Sequence, residues 1–91
     1  MQFKWDDDKR EANIRKHGID FASCDRVFSG TTLTTLDNRY DYGEDRFVTM
    51  GILDGRIVVI VHTESATIIR IISIRKATKH EAARYFEHLK N

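Results

Sequence analysis

Apolar residues alternate at the start of the chain, recur at helical spacing, and then alternate again over its second half. Phe3 and Trp5 sit between polar neighbours and mark a short strand or a hydrophobic anchor. Asp6 and Asp7 then offer N-cap side chains, and an acidic first turn suits the positive end of a helix dipole. That helix runs to about His17, because Gly18 supplies a stop signal. Along it Lys9, Asn13 and His17 recur every four residues and share one face. Asp20 can cap a second short helix, with Phe21, Val27 and Phe28 as its apolar residues and Ser29-Gly30 as its end.

Thr31 to Leu36 is β-branched and alternating, which predicts a strand. The polar loop Asp37 to Asp45 follows, carrying Tyr40 and Tyr42. Three further strands are predicted over Arg46 to Leu53, Arg56 to Thr63 and Ile68 to Lys76. Asp54-Gly55 is a two-residue hairpin turn between the first two, and Glu64 to Thr67 is a turn before the third. Thr78 opens a last helix, with Glu81 completing a capping box and Ala82, Tyr85, Phe86 and Leu89 as the buried stripe. The expected architecture is α+β in a single domain, residues 1–91. It has two N-terminal helices, an antiparallel β-meander of about four strands and a C-terminal packing helix.

The Asp54-Gly55 turn pairs Leu53 with Arg56, and counting back sets Phe47 opposite His62. With a four-residue second loop, Val61 pairs with Arg70 and Arg56 with Arg75. One face then carries Val48, Met50, Ile52, Ile57, Val59, Val61, Ile72 and Ile74, with Arg46, Thr63 and Arg70 at one end, and is expected to be the core face. The other, with Phe47, Thr49, Arg56, His62 and Arg75, is mixed, as an open face would be. Facing arginines at 56 and 75 repel, unless something anionic lies between them.

Composition narrows the classes. A chain of 91 residues, 41% of them hydrophobic, supports one modest core and argues against disorder. No apolar run approaches a membrane span, and the acids of the opening residues do not make an export signal. The lone Cys24 has no cysteine to pair with, which fits a reducing cytoplasm. Charge is uneven: residues 1–45 hold seven Lys or Arg against ten Asp or Glu, and residues 46–91 hold eight against four. A basic second half is compatible with a polyanion, although a solvated mixed surface gives the same count.

The motif F-x-W-D-x-x-K-x-x-x-N-x-x-K-H-G runs from Phe3 to Gly18, followed by Phe21 and Val27-Phe28. Later come D-Y-G-E-D-R from Asp41 to Arg46, Gly51, Gly55-Arg56, R-I-I-S-I-R-K-A from Arg70 to Ala77, and Glu81 with Tyr85. In order and spacing these resemble the BrnT family of bacterial type II toxins over nearly the whole chain. The family often has a smaller residue where Ile74 stands. The resemblance implies a RelE-like fold, metal-independent RNA cleavage that arrests translation, and a ribbon-helix-helix antitoxin, BrnA. Two toxins with two antitoxins is then the natural stoichiometry, with DNA bound only through the antitoxin.

Cutting RNA without a metal needs a base for the 2′-OH, an acid for the departing 5′-oxygen, and cations on the phosphate oxygens. His17, at the end of the first helix, is the leading acid/base candidate, or else merely caps that helix. Lys9, counted with the catalytic candidates, and Asn13 share its face and could touch phosphate or ribose, a solvated helix face being the alternative. Arg46, Arg70 and Arg75 are the stronger signals, since strands rarely hold arginine without a partner; salt bridges to Glu44, Glu64 or Glu81 are the structural alternative. Arg56, Lys76, Lys79 and Tyr85 are candidate RNA contacts, and His62 and His80 reserve acids. No cofactor or metal is expected: the histidines lack zinc spacing, the acids at 6–8 are explained by a helix start, and no phosphate-binding glycine loop occurs. A non-catalytic RNA- or protein-binding module is the alternative.

Overall fold

Each local signal in the sequence turns into a specific set of bonds. The computed structural model describes residues 1–90. Strand β1 is Gln2–Lys4 and helix α1 is Asp7–His17. The Asp6 side chain accepts from Lys9 N–H, and Gly18, at φ 72°, donates to Ile14 O. A positive φ is easy only for glycine, so the helix ends there. A 3-10 turn, Phe21–Ser23, leads into the five-residue α2, Cys24–Phe28. Four strands follow: β2 Leu33–Asp37, β3 Arg46–Leu53, β4 Arg56–Glu64 and β5 Ile68–Lys76. Asp54 and Gly55 both have positive φ, as the tight β3–β4 turn requires. Helix α3, Lys79–Leu89, starts at the Thr78–Glu81 capping box.

The sheet corrects the expected meander. It has five strands, in the order β1-β5-β4-β3-β2, and it is mixed, because β1 runs parallel to β5. The alternation at Phe3 and Trp5 marks a short strand but not its partner. Its place is set by pairing with residues at the other end of the chain, Gln2 with Ile68 and Lys4 with Arg70. Nor are there two N-terminal helices of comparable standing. The segment after Asp20 tightens into the 3-10 turn, where Asp20 accepts from Ala22 N–H, and only one turn or so of α-helix follows.

The register is corrected too. Leu53 pairs with Arg56 and Phe47 with His62, as the hairpin turn predicts. Beyond that, Val59 pairs with Arg75, Val61 with Ser73 and His62 with Ile71. Ile72 is therefore the extra residue of a β-bulge, and Arg56 does not face Arg75. The main core lies on the face expected to be open: Phe21, Cys24 and Val27 pack on Leu53, Val58, Ile60, Ile69, Ile71 and Ile74. Gly51 allows this approach, since a Cβ there would stand 2.6 Å from Val27 Cγ1. The other face holds a smaller cluster, Met50 and Val59 under Tyr85. Within α3 only Tyr85 is buried; Phe86 and Leu89 of the expected stripe are exposed, because the helix lies over one end of the face.

Candidate functional site

The bulge decides which side chains meet. Arg70 and Arg75 are an odd number of residues apart, so on a regular strand they would point to opposite faces. Ile72 takes up the extra step: Arg70 pairs with Thr63 and Arg75 with Val59, which puts both on the α3 face. Arg46, at the start of β3, joins them, since its neighbour Phe47 stacks on His62 on the opposite side. α3 covers only part of this face. Beyond the Tyr85 cluster, against which Val48 packs, the face carries Arg46, Arg70 and Arg75 with the partly exposed Val61 and Thr63.

Each arginine has an acidic neighbour. Arg75 donates to both oxygens of Glu81, at 2.7 and 2.9 Å, and to Lys76 O at 3.2 Å. The Arg75 bond holds the Glu81 carboxyl down to about 2, and the Arg75 guanidinium is raised in turn. Arg70 donates to Glu44 Oε1 at 2.6 Å, and the same oxygen is 3.8 Å from Arg46 Nε. The Arg46 guanidinium stands 4.1 Å from the centre of the Tyr42 ring, a cation–π contact.

Two more arginines belong here that the sequence did not single out. Arg84 of α3 lines a groove of about 210 Å³ together with Arg75, Glu81, Val61 and Arg39. Arg39 grips the buried Asp37 through two bonds, at 2.9 and 3.2 Å, and Tyr42 Oη donates to the same carboxylate. The Arg39 bond is the main reason the Asp37 carboxyl is lowered. Arg84 could have been found from its place one helical turn after Glu81. Arg39 had no signal beyond lying in a polar loop.

The other expected residues are elsewhere. α1 lies along β5 and is tied to its backbone at Ile74 through Asn13; Lys9 is exposed and His17 half-buried on this helix, apart from the salt bridges of the arginines. Asn13 is not turned toward a ligand: its amide donates to Ile19 O and Ile74 O, both at 2.9 Å, and its Oδ1 accepts from Ile74 N–H. Tyr85 is fully buried, its hydroxyl donating to Thr31 O at 2.7 Å. Arg56 and Lys76 line a separate hollow with Gly18, Asp20 and Asp54, and Lys79 and His80 are exposed at the start of α3.

His62 is fully buried, with Nε2 2.7 Å from Thr49 Oγ1, and burial lowers its pKa. Burial pushes the Cys24 thiol up to about 11, so it is no ready nucleophile. Among the described residues no three His, Cys, Asp or Glu side chains gather as a metal site. No helix of the described residues is long and apolar enough to cross a membrane.

What this arrangement can do is grip an extended anion. Five guanidiniums stand along one half-open face, against Asp37, Glu44 and Glu81, and planar guanidiniums suit phosphate oxygens. No curated protein is significantly similar to the chain. The family described as the ribonuclease toxin, BrnT, of type II toxin–antitoxin systems matches residues 5–81, a stretch that holds α1, the arginine-bearing strands and Glu81, and the chain belongs to that family.

Proposed function

We propose that the chain is a metal-independent endoribonuclease that binds RNA along the open half of the α3 face. The family supplies the coarser statement: a ribonuclease toxin of a type II system, with RNA as substrate and an antitoxin as partner. The observation that carries the finer one is the bulge at Ile72, which turns Arg75 to the face of Arg70 and Arg46, the one that α3 covers in part. In the cleavage, the 2′-oxygen passes its proton to water and bonds to phosphorus, giving a 2′,3′-cyclic phosphate, while the bond from phosphorus to the 5′-oxygen breaks and that oxygen takes up a proton from water. Negative charge grows on the non-bridging oxygens, where Arg70 and Arg75 are suited to stabilise it. Arg39, Arg46 and Arg84 extend the grip along the strand. Glu81 positions Arg75 through its two bonds. Lys9 and His17, on α1, form no part of this arginine cluster. Purified protein should cut RNA in excess EDTA. Loss of cutting in EDTA that magnesium restores would overturn the metal-free reading.

The antitoxin, on the same reading, is a ribbon-helix-helix protein that forms a complex of two toxins and two antitoxins and itself contacts DNA. The support is the family membership and an open face that one partner segment could cover while it blocks RNA. The cytoplasm, where translation takes place, is the corresponding location. Co-expression with the neighbouring small gene product should give one complex on size-exclusion chromatography with light scattering, inactive on RNA. A free toxin that still cuts RNA beside its neighbour would overturn the partnership.

A further inference from the structure

The loop between β2 and β3 folds back onto the arginines. Its Tyr42 ring lies against Arg46, and its Glu44 carboxylate reaches Arg70 on β5. One carboxylate thus stands between guanidiniums from two strands, and it serves them unequally. Arg70 receives a bond of 2.6 Å; Arg46 Nε is 3.8 Å away, beyond hydrogen-bond reach. Arg46 Nε is buried and has no hydrogen-bond partner. A buried guanidinium N–H without an acceptor is costly, so Glu44 alone leaves the pair unfinished.

We propose that Arg46 and Arg70, with Tyr42 as a platform, form a phosphate subsite whose occupant in the RNA-free protein is Glu44. A phosphodiester brings two non-bridging oxygens in a tetrahedral arrangement, and these can reach both Arg46 Nε and Arg70 where the carboxylate reaches one. Glu44 can leave without breaking the core, because its side chain is 42% exposed and it follows Gly43, whose φ of 72° is a glycine conformation. RNA therefore exchanges a backbone phosphate for this carboxylate. Glu44 is a specificity-determining residue: it competes with every anion, and a polymer offering several phosphates at once displaces it more readily than a lone one. This inference rests on the α3 face being the RNA site.

The test is binding of a 2′-O-methyl RNA oligonucleotide, which cannot be cleaved, followed by fluorescence anisotropy. Glu44→Gln should tighten binding by about two- to fivefold, the scale of an exposed ion pair. Asp45→Asn removes the same charge one residue along and should change affinity less. In an Arg70→Ala background the gain from Glu44→Gln should shrink, since the bonded partner is gone. Equal effects of Glu44→Gln and Asp45→Asn, or an undiminished gain without Arg70, would overturn the proposal.

Inorganic phosphate, followed by NMR of the arginine Nε–Hε groups, separates the two readings. Phosphate should shift Arg46 at lower concentration in Glu44→Gln than in the wild type. If it does, and no variant binds RNA, the subsite stands and the RNA reading falls. If RNA is bound and cut, yet phosphate leaves Arg46 unmoved and Glu44→Gln is inert, the subsite falls and the RNA reading stands.

Discussion

Among the described residues each face of the sheet holds one buried side-chain nitrogen without a hydrogen-bond partner, His62 Nδ1 under α2 and Arg46 Nε under the β2–β3 loop. Their surroundings differ. The His62 ring is fixed between Phe28 and Phe47, and its other nitrogen meets Thr49, which is 2.7 Å from Thr34 Oγ1. Nothing there can be exchanged without unpacking the core. Arg46 faces Tyr42 and Glu44, side chains from a solvent-washed loop. The polar contacts of His62 close the fold, whereas the partners of Arg46 are the ones that RNA replaces on the proposed reading.

The sharpest way to break this comparison is to remove the arginines. Arg70→Ala and Arg75→Ala should each slow RNA cleavage on the order of 10²-fold, the usual cost of losing a charge-stabilising donor in a transition state. Their thermal transitions should stay cooperative and move little, because both pairs are partly exposed and such pairs contribute about 1 kcal/mol or less. Single-turnover cleavage and calorimetry give the two readings. Full cleavage by both variants would move the chemistry off this face.

Asn13 gives the opposite pattern. Its three bonds tie α1 to the backbone of Ile74 and to Ile19. Asn13→Ala should cost on the order of 2–4 kcal/mol of stability, because it strands buried backbone groups. Cleavage per folded molecule should be unchanged. A stable Asn13→Ala protein with little activity would place Asn13 with the RNA contacts after all.

Much of the local structure was legible because its signals are local. Asp6 with Gly18, Asp54-Gly55, and Thr78 with Glu81 act over a few residues and carry their own chemistry. What was not legible depends on distant pairing. The parallel β1 is three residues long and is placed by β5. The bulge at Ile72 leaves no mark in the pattern R-I-I-S-I-R, yet it moves Ile74 into the core and turns Arg75 to the other face. The assumed four-residue second loop, carried along β5 without a bulge, therefore set Val61 opposite Arg70 and Arg75 opposite Arg56, where Thr63 and Val59 stand. The three strand arginines stood out as candidates because arginine is unusual in a strand. Asn13 looked like a surface residue because helical spacing gives a shared face and does not say which element that face meets.

The last test sharpens the contrast on the sealed side and is the smallest in effect. Burial lowers the pKa of His62 from its ordinary 6.5, so the folded protein holds a neutral imidazole where the unfolded chain takes up a proton more readily. The sign follows: this stability is fully present above 6.5 and is lost as pH falls through the lower folded value. The Glu64 carboxylate, 3.7 Å from Nδ1, acts the other way and limits the loss. Asp20, beside Arg10, and Glu81, beside Arg75, are both lowered to about 2 from 3.8 and 4.5, so their contribution is lost only in stronger acid. Between 6.5 and 4.5 the fall in Tm should therefore report His62, and His62→Gln should flatten it. NMR titration of the His62 ring gives the same answer should the variant fold poorly. Parallel Tm curves for wild type and variant over that window, or a ring that titrates at or above 6.5, would show that the imidazole is not sealed in its neutral form.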